Sequence, residues 1–152
     1  MKRMLQRSLT ILAVGASTFI VACSSGSSND PTANLLNRFT DAATLLTSAT
    51  GLKDVKIPSL FDDTYKDAGY TKANLAADLQ AESAALTSAT DASLFPIASL
   101  KDVTVTGCDT SSVCTLTGKL VNSDVDTTEV VVTTKVKQVN GEYYFLGDQQ
   151  AS

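Results

Sequence analysis

Apolar positions along this chain follow three different rhythms in turn. Residues 9–22 form a near-continuous apolar run behind Lys2, Arg3 and Arg7. From residue 31 the spacing becomes helical. Leu35, Leu36, Phe39, Ala42, Ala43 and Leu46 recur at i, i+3/i+4 and i+7, which marks one buried helix face. Asp30 suits an N-cap, Pro31 the first helical position and Gly51 a stop, so the pattern predicts a helix over 31–49. Ile57-Pro58 predicts a break. A short helix is expected over 59–68, carrying Leu60, Phe61 and Tyr65 and ending at Gly69. Thr71 can cap a third helix with Leu75, Ala76 and Leu79 on its inner side. That helix fades through the Ala/Ser/Thr stretch 81–93, and Leu94-Phe95-Pro96 reads as a turn or an extended lead-in.

From about Leu100 the period is two, the signature of strands. Val103 and Val105 alternate with threonines, and 113–121 forms the next strand. Residues 122–127 are polar and turn-like, and 129–139 is a β-branched run with Val130, Val132, Thr134 and Val136 on one face. Asn140-Gly141 predicts a tight hairpin, because both residues tolerate positive φ. Residues 143–146 close the sheet; Tyr143 and Phe145 alternate with Tyr144 and Leu146, so one pair faces inward. Cys108 and Cys114 flank a five-residue loop symmetrically. They can face each other across a hairpin at distances that suit a disulfide, whose role would be to fix register. Helices first and strands afterwards predict an α+β domain, with the helices on one face of a curved antiparallel sheet.

The first apolar run ends in Ile20-Val21-Ala22-Cys23, followed by Ser24-Ser25-Gly26-Ser27-Ser28. At about 14 residues it is short of the roughly 20 needed to cross a bilayer as a helix. The basic start and short apolar stretch read as a secretory signal peptide. The last four residues of this stretch resemble the lipobox of bacterial lipoproteins at every position. That resemblance implies cleavage before Cys23, diacylation of its thiol and anchoring by two or three acyl chains, enough for stable attachment. The chain then divides into a signal peptide (1–22), an acylated flexible tether (23–29) and a single domain (30–152). Ser24 stands where an aspartate would favour inner-membrane retention, so the resemblance implies the outer membrane, most simply with the domain facing the periplasm; exposure at the cell surface, or the outer face of the only membrane in a single-membrane bacterium, are the alternatives.

Composition narrows the function. Without Lys2, Arg3 and Arg7 the mature chain has 9 basic and 16 acidic residues, a net charge of −7. An acidic domain repels phosphate backbones, so nucleic acid is not expected as a partner, and membrane attachment rests on lipid alone. Histidine and tryptophan are both absent. Lack of histidine removes the commonest general base and the commonest zinc ligand. The Cys108/Cys114 pair has no further His or Cys to complete a metal shell, and an extracytoplasmic location permits its oxidation. No phosphate-cradling, dinucleotide, zincin, EF-hand or serine-elbow motif occurs, so no cofactor or metal is expected.

The segment Phe61-Asp62-Asp63-x-Tyr65-x-x-x-Gly69-x-x-Lys72-x-x-Leu75 is similar to the second and third helices of the nuclear transport factor 2-like superfamily. The ending from Val139 to Gln149 resembles that family's last hairpin, with Tyr143 where a tryptophan is usual. The resemblance implies a cone: a bent sheet wrapped round helices, with a pocket at its open end. It also brings the option of a homodimer through the outer sheet face. Family enzymes, such as ketosteroid isomerases and dehydratases, work with pocket Asp, Tyr or His–Asp groups. Without histidine, the candidates here are Asp62 and Asp63 with Tyr65, a pairing able to move a proton next to a carbonyl. Asp67, Tyr70, Tyr143 and Tyr144 add further acid and phenol groups. The simpler reading makes Asp62 and Asp63 first-turn helix acids and Tyr65 a partner of Phe61 on an apolar face. Tyr65, Tyr70, Tyr143 and Phe145 are candidates to line a ligand site, or merely to fill it.

The reading favoured by the sequence is a lipid-anchored, non-catalytic envelope module that binds a small apolar ligand or a partner protein. The alternatives are an isomerase or dehydratase using a pocket Asp and Tyr, and an assembly lipoprotein with no ligand.

Overall fold

The computed structural model describes residues 30–86, 98–122 and 129–150. The signal-peptide, Cys23 and tether readings, the turn at 94–96 and the turn at 122–127 beyond its first residue lie outside them.

Helix α1 spans Pro31–Leu45, and Asp30 caps it by accepting the Thr32 N–H on its side chain at 2.9 Å. Leu35, Ala42 and Ala43 are buried along one stripe. The helix stops four residues short of the expected 49, and the sequence after Leu45 gives the reason. The Thr47 hydroxyl donates to the Thr44 carbonyl at 2.7 Å, and the Ser48 hydroxyl accepts the Gly51 N–H at 3.0 Å. Such short side chains offer the backbone partners other than the helix ladder. Two 3-10 turns follow, Gly51–Lys53 and Pro58–Leu60.

The helix expected over 59–68 is not formed. Its residues are drawn to the free edge of the last strand instead. Phe61 makes a parallel bridge to Phe145, and the Asp62 N–H donates to the Phe145 carbonyl at 2.9 Å. The chain then makes a small hairpin, β1 (Lys66–Asp67) with β2 (Tyr70–Thr71). Helix α2 spans Lys72–Ala85 and begins, as expected, at Thr71. Thr71 and Asn74 exchange side-chain-to-backbone hydrogen bonds in a capping box, which satisfies two orphan N–H groups. Leu79 and Ser83 are its buried residues, and the Ser83 hydroxyl donates to the Ala49 carbonyl at 2.5 Å.

The main sheet is antiparallel in the order β3 (Ala98–Thr106), β4 (Val113–Asn122), β5 (Glu129–Val139), β6 (Glu142–Phe145). Helix α1 packs against both edge strands, β3 and β6, so the sheet curls around it into a half-barrel. The α+β class and the strong curvature are as the sequence predicts. One source of curvature is a bulge in β3, where the register shifts between Lys101 and Thr104, with Asp102 at φ 51°. An extra residue bends the strand and raises its twist. It also turns Val103 and Val105 to the same face as Leu100, which strict alternation would not do. The Asn140–Gly141 turn has φ of 53° and 83°, as its sequence requires.

The core lies between α1 and the sheet, with Leu35, Leu116 and Val136 fully buried. After β6 the chain lies as a strap over the β1–β2 hairpin. Lys66 N–H donates to the Leu146 carbonyl (3.1 Å), Gln149 N–H to that of Lys66 (2.9 Å) and Gly69 N–H to that of Gln150 (3.1 Å).

Candidate functional site

Phe145 is the hub of the interior. Its ring meets Phe39 of α1 edge-on at 6.3 Å and Phe61 at 5.7 Å, and Phe61 in turn meets Tyr65 at 4.7 Å. Such geometries add to the apolar burial itself. Tyr143 shares the inner face of β6 with Phe145, and Leu75 reaches the same core from α2. The structure thus brings Tyr65 and Phe145 together through Phe61. The Tyr70 hydroxyl donates to Asp78 on α2.

The acids named with Tyr65 are turned to other partners. Asp62 accepts the Thr64 N–H at 2.9 Å and the Thr64 hydroxyl at 2.5 Å, and Lys137 lies 3.7 Å away. Lys137 is on the outer sheet face, one residue from buried Val136. Burial pushes the Asp62 carboxyl up, but the Thr64 bonds and the ammonium groups of Lys137 and Lys72 outweigh it, and the net shift is downward. Asp63 has a side chain 95% exposed and pairs with Lys72 at 2.7 Å. Burial raises the Tyr65 phenol, and the nearby Asp67, Tyr70 and Asp148 raise it further.

Two groupings had no forecast in the sequence. Arg38 of α1 donates to the Tyr143 carbonyl, lies 3.8 Å from Glu142 and stacks 4.8 Å over the Tyr144 ring. A signal was present: it is a lone charge three residues after Leu35 on the buried stripe. Asp67 and Asp148 face each other where the strap meets the hairpin. Asp67 accepts the Asp148 N–H at 3.3 Å, and Asp148 accepts the Ala68 N–H at 3.1 Å. Burial raises the Asp67 carboxyl, the Asp148 N–H opposes this, and the Asp148 charge adds to the rise. No sequence signal pairs residues so far apart.

Cys108 and Cys114 are joined by a disulfide. It closes the β3–β4 loop together with Asp109, whose carboxylate accepts the N–H groups of Ser111 (2.8 Å) and Val113 (2.9 Å). Among the described residues no cluster of three or more His, Cys, Asp or Glu could hold a metal ion, and no helix is long and apolar enough to cross a membrane.

The interior is filled near Phe145, and the inner face continues to the opposite end of the central strands. There Leu120 stands across from Val130, and Gly118 across from Val132, on the inner face. Val130 remains 40% exposed, and Val131 on the outer face 60%.

A designed nuclear transport factor 2-like protein is similar in structure, with a TM-score of 0.50 at 12% identity, over 80% of this chain and 96% of that one. The fold is nuclear transport factor 2-like. No family model matches the chain, and no curated protein matches it. The aromatic cluster seals the side formed by α1 and β6, and the candidate acids lie outside that cluster, paired with lysines.

Proposed function

We propose that this is a lipid-anchored bacterial envelope lipoprotein, held in the outer membrane with its domain in the periplasm. The domain is a non-catalytic binding module. It takes a small apolar ligand, or an apolar part of a partner protein, at the open end of the cone. The observation that carries the binding reading is Val130, 40% exposed on the inner face beside half-buried Leu120 and Val132. Concave apolar surface is what apolar ligands use. The absence of histidine and the pairing of Asp62 and Asp63 with lysines support a module without acid–base chemistry. The lipobox residues Ile20 to Cys23 support the anchor.

Titration of the domain with N-phenylnaphthylamine, a neutral apolar dye that fluoresces on burial, tests the site. The expected result is saturable emission that Val130→Asp abolishes while the domain stays folded. No emission from the unaltered domain, or equal emission from the variant, would overturn this placement. For the anchor, Cys23→Ser is expected to abolish lipid labelling in cells; labelling that persists would remove the lipobox reading.

A further inference from the structure

The outer face of the sheet concentrates the positive charge of an acidic protein. Side chains alternate along each strand, so buried Cys114, Leu116 and Val136 mark the inner face and their neighbours the outer one. The register then sets Lys101 beside Lys119, and Lys119 beside Val131. Lys135 and Lys137 follow farther along β5 on the same face. Four of the nine basic residues of the mature chain thus stand on one surface, although that chain carries a net charge of −7. Lys119 is paired with Asp102 and Glu129, and Lys137 with Asp62. Among the described residues Lys101 and Lys135 pair with no carboxylate, and both are exposed.

A lattice of threonines runs from Lys101 and Lys119 toward Lys135. Thr104, Thr117 and Thr133 form one row across β3, β4 and β5, and Thr106 and Thr115 lead into Lys135 in the next. Such rows repeat every ~7 Å along a strand, with ~4.8 Å between strands. All five threonines are exposed, and none of their hydroxyls bonds to another described residue. A convex surface of short hydroxyls framed by ammonium groups suits an extended chain that carries many hydroxyls and spaced carboxylates. Such an anionic chain is drawn to this face and repelled by the rest of the domain. Protein interfaces are built otherwise: their cores favour aromatic side chains and are depleted in lysine. Here the one aromatic on the outer face is half-buried Tyr144, across from Lys137 at the sheet margin.

We propose that the outer sheet face binds an acidic polysaccharide. The threonine hydroxyls meet sugar hydroxyls, and Lys101 and Lys135 meet its carboxylates. Each exposed charge contact is weak, so the polymer is held by engaging several at once. This surface lies on the opposite side of the sheet from Val130 and does not rest on the apolar binding reading given above.

The full protein, held in micelles of a neutral polyoxyethylene detergent, is titrated by calorimetry with sodium alginate hexasaccharide, which has a carboxylate on every sugar. The expected result is saturable binding that weakens with added salt. The Lys101→Gln/Lys135→Gln double variant is expected to bind about tenfold more weakly, the loss of two exposed charge contacts. Thr117→Val/Thr133→Val, which keeps the branched strand-forming shape, is expected to weaken binding as well. All four positions are exposed, and circular dichroism checks that both variants are folded. Neutral mannohexaose is expected not to bind. No binding of the alginate, equal binding of the neutral sugar, or unchanged binding in the folded lysine variant overturns the proposal. Hexaglutamate separates a polysaccharide from an acidic peptide. It is expected to bind more weakly than the alginate and to be indifferent to the threonine changes; equal or tighter binding of the peptide overturns the assignment to a sugar.

Discussion

Gly118 of β4 lies so close under Val103 of β3 that a β-carbon at position 118 would stand 3.0 Å from Val103 Cγ2. The Lys101 carbonyl would be 3.1 Å away on the same side. The bulge in β3 thus depends on a partner without a side chain. Gly118→Ala is expected to destabilise the domain by about 1–3 kcal/mol, the usual cost of overpacking. Urea unfolding followed by far-UV dichroism reads this as a lower midpoint with unchanged slope.

Arg38 ties α1 to the part-buried start of β6 through the Tyr143 carbonyl and Glu142. Arg38→Met keeps much of the apolar stem of the side chain but leaves that carbonyl without its donor. The expected loss is about 1–3 kcal/mol, typical of an unsatisfied buried polar group. Arg38→Lys should recover little, since an ammonium lacks the planar fork. Urea midpoints of the two variants decide this, with hydrogen exchange of the β5–β6 amides as a local check.

Two carboxylates should pull the pH profile in opposite directions. The folded-state pKa of Asp67 is raised, so its contribution to stability is present below its unfolded value of about 3.8 and is lost as pH rises through the folded value. That of Asp62 is lowered, so its contribution is present above about 3.8 and is lost as pH falls through the folded value. Asp67→Asn retains an oxygen to accept the Asp148 N–H. It is expected to raise Tm at pH 7, with the gain shrinking toward zero at the acid end. Asp62→Asn should do the opposite, lowering Tm at pH 7 and converging on the unaltered domain in acid. Thermal melts from pH 3 to pH 7 check both signs.

The Cys108–Cys114 disulfide encloses a short loop, for which chain-entropy arguments give about 2 kcal/mol. Asp109 closes the same loop independently through Ser111 and Val113. The reduced domain is therefore expected to fold, with a stability loss no larger than that figure. Urea unfolding with and without dithiothreitol measures the difference. Failure of the reduced domain to fold would show the bond to be indispensable.

Features written locally were legible in the sequence. The caps at Asp30 and Thr71, the period-two strands, the Asn140–Gly141 turn and the cysteine pair each depend on residues a few positions apart. The resemblance to the nuclear transport factor 2-like fold came from such local patterns and is met by the architecture. Segment 59–68 was not legible, because a distant strand edge at Phe145 and Leu146 competes for its backbone and wins. For the same reason the surroundings of Asp62 could not be read: its Thr64 partner is local, but Lys137 comes from β5. The bulge at Asp102 had only an indirect signal, in the broken alternation from Leu100 to Val103.

The strap of residues 146–150 also sets an order of events. The groups that hold Lys66, Ala68 and Gly69 in place are supplied by Leu146, Asp148, Gln149 and Gln150. Asp148 lies 80 residues beyond Ala68 in the sequence. A polypeptide emerging amino end first, from a ribosome or through a pore, exposes the hairpin long before its clasp exists. Until residues 146–150 have emerged, Lys66, Ala68 and Gly69 lack the hydrogen-bond partners that hold them.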